Sequence, residues 1–192
     1  MTSNTAQADI LRAVTHWFEK SVLDLNLCPF AAQPFRAGGV YFELTSAQSD
    51  EGCLIDLFAQ LLRMDQNPGI ETLLLICPYH FEKFAHYNQF LDLADRLLDD
   101  QGWDGIYQIA SFHPLYRFAG SNVEDRANWT NRSPFPVLHL IREASISRAV
   151  ASYPASRDIP ARNLKTICAL TDAEMGEIFV SHPGLADKQI PA

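Results

Sequence analysis

The sequence lacks any apolar run approaching the roughly 18–20 residues that a bilayer-spanning helix needs. No membrane partner is expected on that ground. It also lacks a basic flank leading into an apolar stretch near the start, where Met1 to Asp9 is polar. That pattern is unlike a signal peptide and makes the cytoplasm the expected compartment. Cysteine is sparse: Cys28, Cys53, Cys77 and Cys168 are widely spaced and form no CxxC. A zinc ribbon and a thioredoxin motif are thereby excluded, and reduced thiols are expected. Glycine is scarce too, with 9 in 192 residues and only Gly105 and Gly120 between Asp104 and Glu143. No GxGxxG, Walker loop, HExxH or GxSxG is present, so a glycine-rich phosphate cradle is ruled out. Positive charge is the last shortage. Fifteen basic residues stand against 23 acidic, a net charge of −8. A broad nucleic-acid or anionic-membrane surface requires the opposite sign.

What is present is an ordinary globular composition, 47% hydrophobic and 20% charged. At this length one domain over residues 1–192 is expected. The charge is unevenly distributed. Residues 1–111 carry 6 basic and 15 acidic side chains, whereas residues 112–148 carry 5 basic and 3 acidic. All five of those basic residues are arginines: Arg117, Arg126, Arg132, Arg142 and Arg148.

Helical spacing of Ile10, Val14, Trp17, Phe18, Val22 and Leu25 predicts a helix over about residues 6–25, ended by Cys28-Pro29. Val40 to Thr45 reads as a strand, Leu54 to Leu62 as a helix, and the apolar run Ile70–Cys77 as a buried strand. Phe81 to Leu98 has helical period and Gly105–Phe112 reads as a strand. No period is visible over about 113–133, so an irregular polar loop is expected there. Ser133-Pro134 resembles an N-cap with proline at the first helical position, predicting a helix to about Ser152 and a helical C-terminal part over about 134–182. Thr171-Asp172-Ala173-Glu174 reads as a capping box. The predicted class is α/β: a small, mainly parallel sheet of three or four strands with flanking helices. A fourth strand is sought in residues 30–37 or 163–170.

Two predicted strands end in Cys77-Pro78 and His113-Pro114, at the sheet edge where open α/β sheets place ligands. A cysteine among apolar residues is also a common packed small hydrophobe. The loop-to-helix junction, with Asn128, Asn131, Arg132 and Ser133, is the densest polar stretch. Pro134 and Pro136 remove amide donors, so an anion would be held by side chains, Arg132 foremost. The competing reading is an N-cap whose arginine pairs with Glu124 or Asp125. On the predicted helix, His139, Arg142 and Glu143 fall at i, i+3 and i+4 and share a face. With His113 they make a two-histidine, one-carboxylate set that would suit a divalent metal. Such spacing is also frequent on solvated helix faces. His80, just past a strand end, reads as a helix cap and His86 as a solvated residue; neither is given a role.

The segments Leu25–Ala31, Gln108–Pro114 and Asn131–Ser145 resemble those of a bacterial family known only as a domain of unknown function. The similarity covers nearly the whole chain. It implies cytosolic bacterial origin and a single domain, and brings no activity with it. It also implies that Cys28, His113, Asn131, Arg132, Ser133, His139, Arg142 and Glu143 occupy the family's motif positions; Cys77 has no matched position.

Three readings follow. In the first, the protein is an enzyme or binding protein for a small anionic metabolite. Asn128, Asn131, Arg132, Ser133 and Arg142 would hold it. His113, His139 and Glu143 would be acid–base groups or metal ligands, and Cys28 a nucleophile provided a neighbour lowers its pKa. In the second, the arginines grip an acidic peptide or pair across a homodimer without catalysis. In the third, the Asn- and Arg-rich loop is a network that fixes the fold.

Overall fold

The computed structural model describes residues 2–151 and 158–179. The N-terminal apolar stripe forms α1 (Thr2–Trp17), which continues into a π-helical segment, Phe18–Asp24. Within it Ser21 returns its hydroxyl to the Trp17 carbonyl at 2.8 Å. Asn26, at φ 54°, turns the chain through the left-handed region that asparagine tolerates. Then come α2 (Ala32–Arg36), β1 (Val40–Leu44), α3 (Asp50–Gln66), β2 (Thr72–Ile76), α4 (Phe84–Asp100) and β3 (Tyr107–Phe112). A 3-10 turn, Arg126–Asn131, precedes β4 (Val137–Arg142), α5 (Glu143–Ala151), α6 (Ile159–Ala169) and α7 (Asp172–Ile178). The capping box at the start of α7 is present, with Thr171 and Glu174 each capping the other's backbone.

The α/β class holds, with one four-stranded sheet in the order β1-β2-β4-β3. The sheet is mixed. β1 and β2 pair in parallel, while β4 runs antiparallel to both β2 and β3. The fourth strand therefore lies at 137–142, not in 30–37 or 163–170. This corrects the helix expected from Ser133: regular helix begins only at Glu143. The expected ends of the helical C-terminal part, residues 152 and 180–182, lie outside the described residues.

The reason is burial on both faces. Val137, Leu138 and Leu140 are each wholly buried, so the strand reads as a short apolar run rather than an alternation. Pro134 and Pro136 do not start a helix. They lead the chain through a bend into the sheet, where the Pro136 carbonyl accepts from the Cys77 N–H at 2.9 Å.

Register fixes the two faces. Leu73 and Leu75 of β2, Leu138 and Leu140 of β4 and Tyr107 of β3 pack against α3 and α4, with Leu57, Leu61 and Met64. Leu74, Ile76, Val137 and Phe112 face the other way, against α1, the π-helical segment, α6 and α7. Each fully buried side chain of this size contributes roughly 1.5–3 kcal/mol. Among the described residues no helix is long and apolar enough to cross a membrane.

Candidate functional site

Because 137–142 is a strand, His139 and Arg142 point to opposite faces of the sheet. The shared helical face expected for His139, Arg142 and Glu143 is thereby corrected. So is the metal set of His113, His139 and Glu143. Among the described residues the one group of His, Cys, Asp and Glu close enough to share an ion is Asp50, His80 and His86.

His113, Asn128, Asn131, Arg132, Ser133 and Arg142 are engaged by the chain itself. His113 is buried, its Nε2–H donating to the Phe81 carbonyl at 2.8 Å and its Nδ1 accepting from the Leu115 N–H at 2.9 Å. Burial lowers its pKa to about 4. Asn128 is fully buried. Its carbonyl accepts from the Phe118 N–H at 3.0 Å and the Ser121 hydroxyl at 2.8 Å, and its amide donates to the Asn122 carbonyl at 2.8 Å. Asn131 donates to the Ser111 carbonyl at 3.2 Å, and the Ser133 hydroxyl to that of Phe135 at 2.5 Å. Arg132 lies over the Trp129 ring at 4.5 Å and donates to the Val123 carbonyl at 2.9 Å. Arg142 donates to the carbonyls of Ile70 at 2.8 Å, Asn67 at 3.1 Å and Met64, closing the C-terminus of α3. Glu143 opens α5, its backbone N–H bonded to the Ile106 carbonyl at 2.9 Å. These contacts match the fold-fixing network.

Cys77 is wholly buried beside Cys53. Hydrogen bonding between the two thiols and then burial push the Cys77 pKa well above its ordinary value, as expected of an inert packed thiol.

Two expected residues, Cys28 and His139, do come together. Both line a hollow of about 740 Å³ between the sheet, the Cys28–Pro34 segment and α5. α6 holds the Cys28 segment in place: Arg162 donates to the Asn26 carbonyl at 2.7 Å and Asn163 to that of Leu27 at 2.6 Å. His139 is flanked on the sheet by Leu74 and Ala110, with the rings of Phe112 and Phe18 at 6.1 and 6.4 Å. Its Nε2 lies 2.5 Å from the Thr72 hydroxyl, which donates its own proton to the Leu140 carbonyl at 2.7 Å. Nε2 therefore carries the imidazole proton and Nδ1 the lone pair. Nδ1 has no hydrogen bond among the described residues. Burial lowers the His139 pKa to about 4, so the ring is neutral.

Burial raises the Cys28 thiol, outweighing backbone hydrogen bonds from Phe30 and Ala31 and the charge of Arg162. The condition set for a nucleophilic Cys28, a lowered pKa, is not met in this state. At the rim, Arg148 lies 3.3 Å from Glu71, which also accepts from the Ser145 hydroxyl.

A family model described as Protein of unknown function (DUF1415) matches residues 9–177. The chain belongs to that family. No curated protein and no solved structure matches it.

Within this DUF1415 chain, Thr72, Glu71 and Arg148 complete the hollow, and sequence reasoning assigned none of them a site role. Glu71-Thr72 is the one polar pair within the apolar run 70–77. That interruption was the available signal.

Proposed function

We propose that the protein binds a small metabolite in the hollow beside His139, with Nδ1 of the imidazole accepting a hydrogen bond from it. The half-satisfied imidazole carries this reading. Thr72 fixes Nε2, Nδ1 has no hydrogen bond among the described residues, and the ring lines a space of about 740 Å³. The ligand offers an O–H or N–H at that point. If it is anionic, its charged group lies toward Arg148, which lines this hollow beside Glu71, whereas Arg132 and Arg142 do not line it.

Recognition is favoured over catalysis. A general base is most effective with a pKa near the ambient pH, and His139 lies well below that. A thiol raised by burial is a weak nucleophile. An anionic ligand beside the ring would raise the His139 pKa, so proton transfer becomes accessible with the ligand in place.

The test is a melting-temperature screen with carboxylates, phosphates and hydroxy acids, on the wild type and on His139→Phe. At about 100 times Kd a ligand adds roughly 2.7 kcal/mol, which raises Tm by several degrees. His139→Phe should abolish the rise. A ligand shift unchanged in both His139→Phe and Arg148→Ala would remove this hollow from consideration.

A further inference from the structure

We infer that Asp50, His80 and His86 form a binding site for a divalent transition-metal ion of the zinc class. Their ligating atoms all lie within 4.8 Å of one another. Nε2 of His80 stands 2.7 Å, and Nε2 of His86 2.8 Å, from the same carboxylate oxygen of Asp50. Ligands at about 2.0–2.1 Å from a tetrahedral zinc stand about 3.3 Å apart, so an opening of roughly half an ångström admits the ion. Two imidazoles with one carboxylate suit zinc and its neighbours, whereas magnesium and calcium take shells of oxygen.

The three residues come from separate segments that are each held firmly. Asp50 opens α3, where the Ser49 side chain caps the helix by accepting from the Gly52 N–H. His86 lies in the first turn of α4. His80 precedes Phe81, whose φ of 63° is a left-handed conformation that costs a bulky residue about 1–3 kcal/mol. That strain is held by burial. The Phe81 ring packs 4.4 Å from His80, 5.3 Å from His86 and 4.8 Å from Phe90, and its carbonyl accepts from His113. His113 thus anchors the segment that aims His80.

Three protein ligands leave a position for water or substrate, as catalytic zinc sites do. Both histidines line a hollow of about 640 Å³ with Tyr79, Glu82 and Lys83. This hollow is at the C-terminal edge of β1, β2 and β3, the opposite end of the strands from Thr72 and Gln108. The inference is therefore independent of the His139 reading.

The test uses the tag-free full chain after chelator stripping. It is titrated with zinc by calorimetry and with cobalt(II) by visible absorption. Asp50→Asn, His86→Ala and, as a control, His16→Ala are compared. The expected result is one ion per chain with Kd below about 10 μM, weakened at least about tenfold by Asp50→Asn and His86→Ala and unchanged by His16→Ala. Cobalt absorption should be lost in the same two variants. The His86 side chain is 41% exposed, so His86→Ala retains the fold. Binding weaker than that limit, or equal in all the proteins, overturns the inference and makes the trio a hydrogen-bonded tie between α3 and α4.

Discussion

His113 and His139 share more than a residue type. Both lie next to Phe112 in space or sequence, and burial lowers both to a pKa of about 4, although only His113 is wholly buried. Their surroundings differ in what they leave unfinished. Around His113 both ring nitrogens meet backbone groups, and the following loop closes on itself through Asn128 and Arg132. Around His139 one nitrogen is fixed and the other faces no partner. A shifted pKa alone does not separate a structural histidine from a binding one; the count of unanswered hydrogen-bonding groups does.

The comparison can be broken first at the loop. Asn128→Ala strands the Phe118 N–H and the Asn122 carbonyl, and should cost about 3 kcal/mol in urea unfolding with ligand recognition at His139 intact. A loss under about 0.5 kcal/mol would deny the loop its structural role.

Acid comes next. The folded pKa of His113 lies below the free value, so the unfolded chain binds more protons between about pH 6.5 and 4. Its contribution is whole above pH 6.5 and is lost as the pH falls toward 4, up to about 3 kcal/mol. His113→Phe should cost about 2 kcal/mol at neutral pH and reduce that slope by about half, His139 carrying the rest, measured by unfolding across the window. An unchanged slope would mean that His113 is not the group being protonated.

His139→Phe reverses the pattern. Only the Thr72 bond is lost, so the stability change should stay near 1 kcal/mol while the ligand-induced rise in Tm disappears. The smallest effect is expected at Cys28, where Cys28→Ser should shift stability by about 0.5 kcal/mol. In the wild type, iodoacetamide at pH 7 should label the exposed Cys168 well before Cys28. Rapid labelling of Cys28 would show that a neighbour activates it after all.

Much of the architecture was legible in the sequence. Apolar spacing located α1, α3 and α4, and the runs 40–45, 70–77 and 105–112 each contain a strand. β4 was not legible, because a central strand buried on both sides has no period of two, and Val137, Leu138, Ile141 and Ala144 also fit a helical stripe. That one misreading put His139 and Glu143 on a common face and drew His113 into a metal set. Cys28 and His139 were identified individually, but their shared hollow depends on α6 pinning residues 26–27, a contact 136 residues apart in sequence. Asp50, His80 and His86 carry no recognisable spacing because they come from three segments.

The position of β4 also matters for how the chain is made. β2 and β3 are both synthesised before residue 137, and neither is the other's neighbour: each waits for the strand that will be inserted between them. Until then a growing chain presents one open edge on the apolar β2 and another on β3. Such unpaired edges are templates for wrong pairing. A chain stalled or truncated before β4 should therefore depend on chaperones and aggregate once released, even though three of its four strands are already complete.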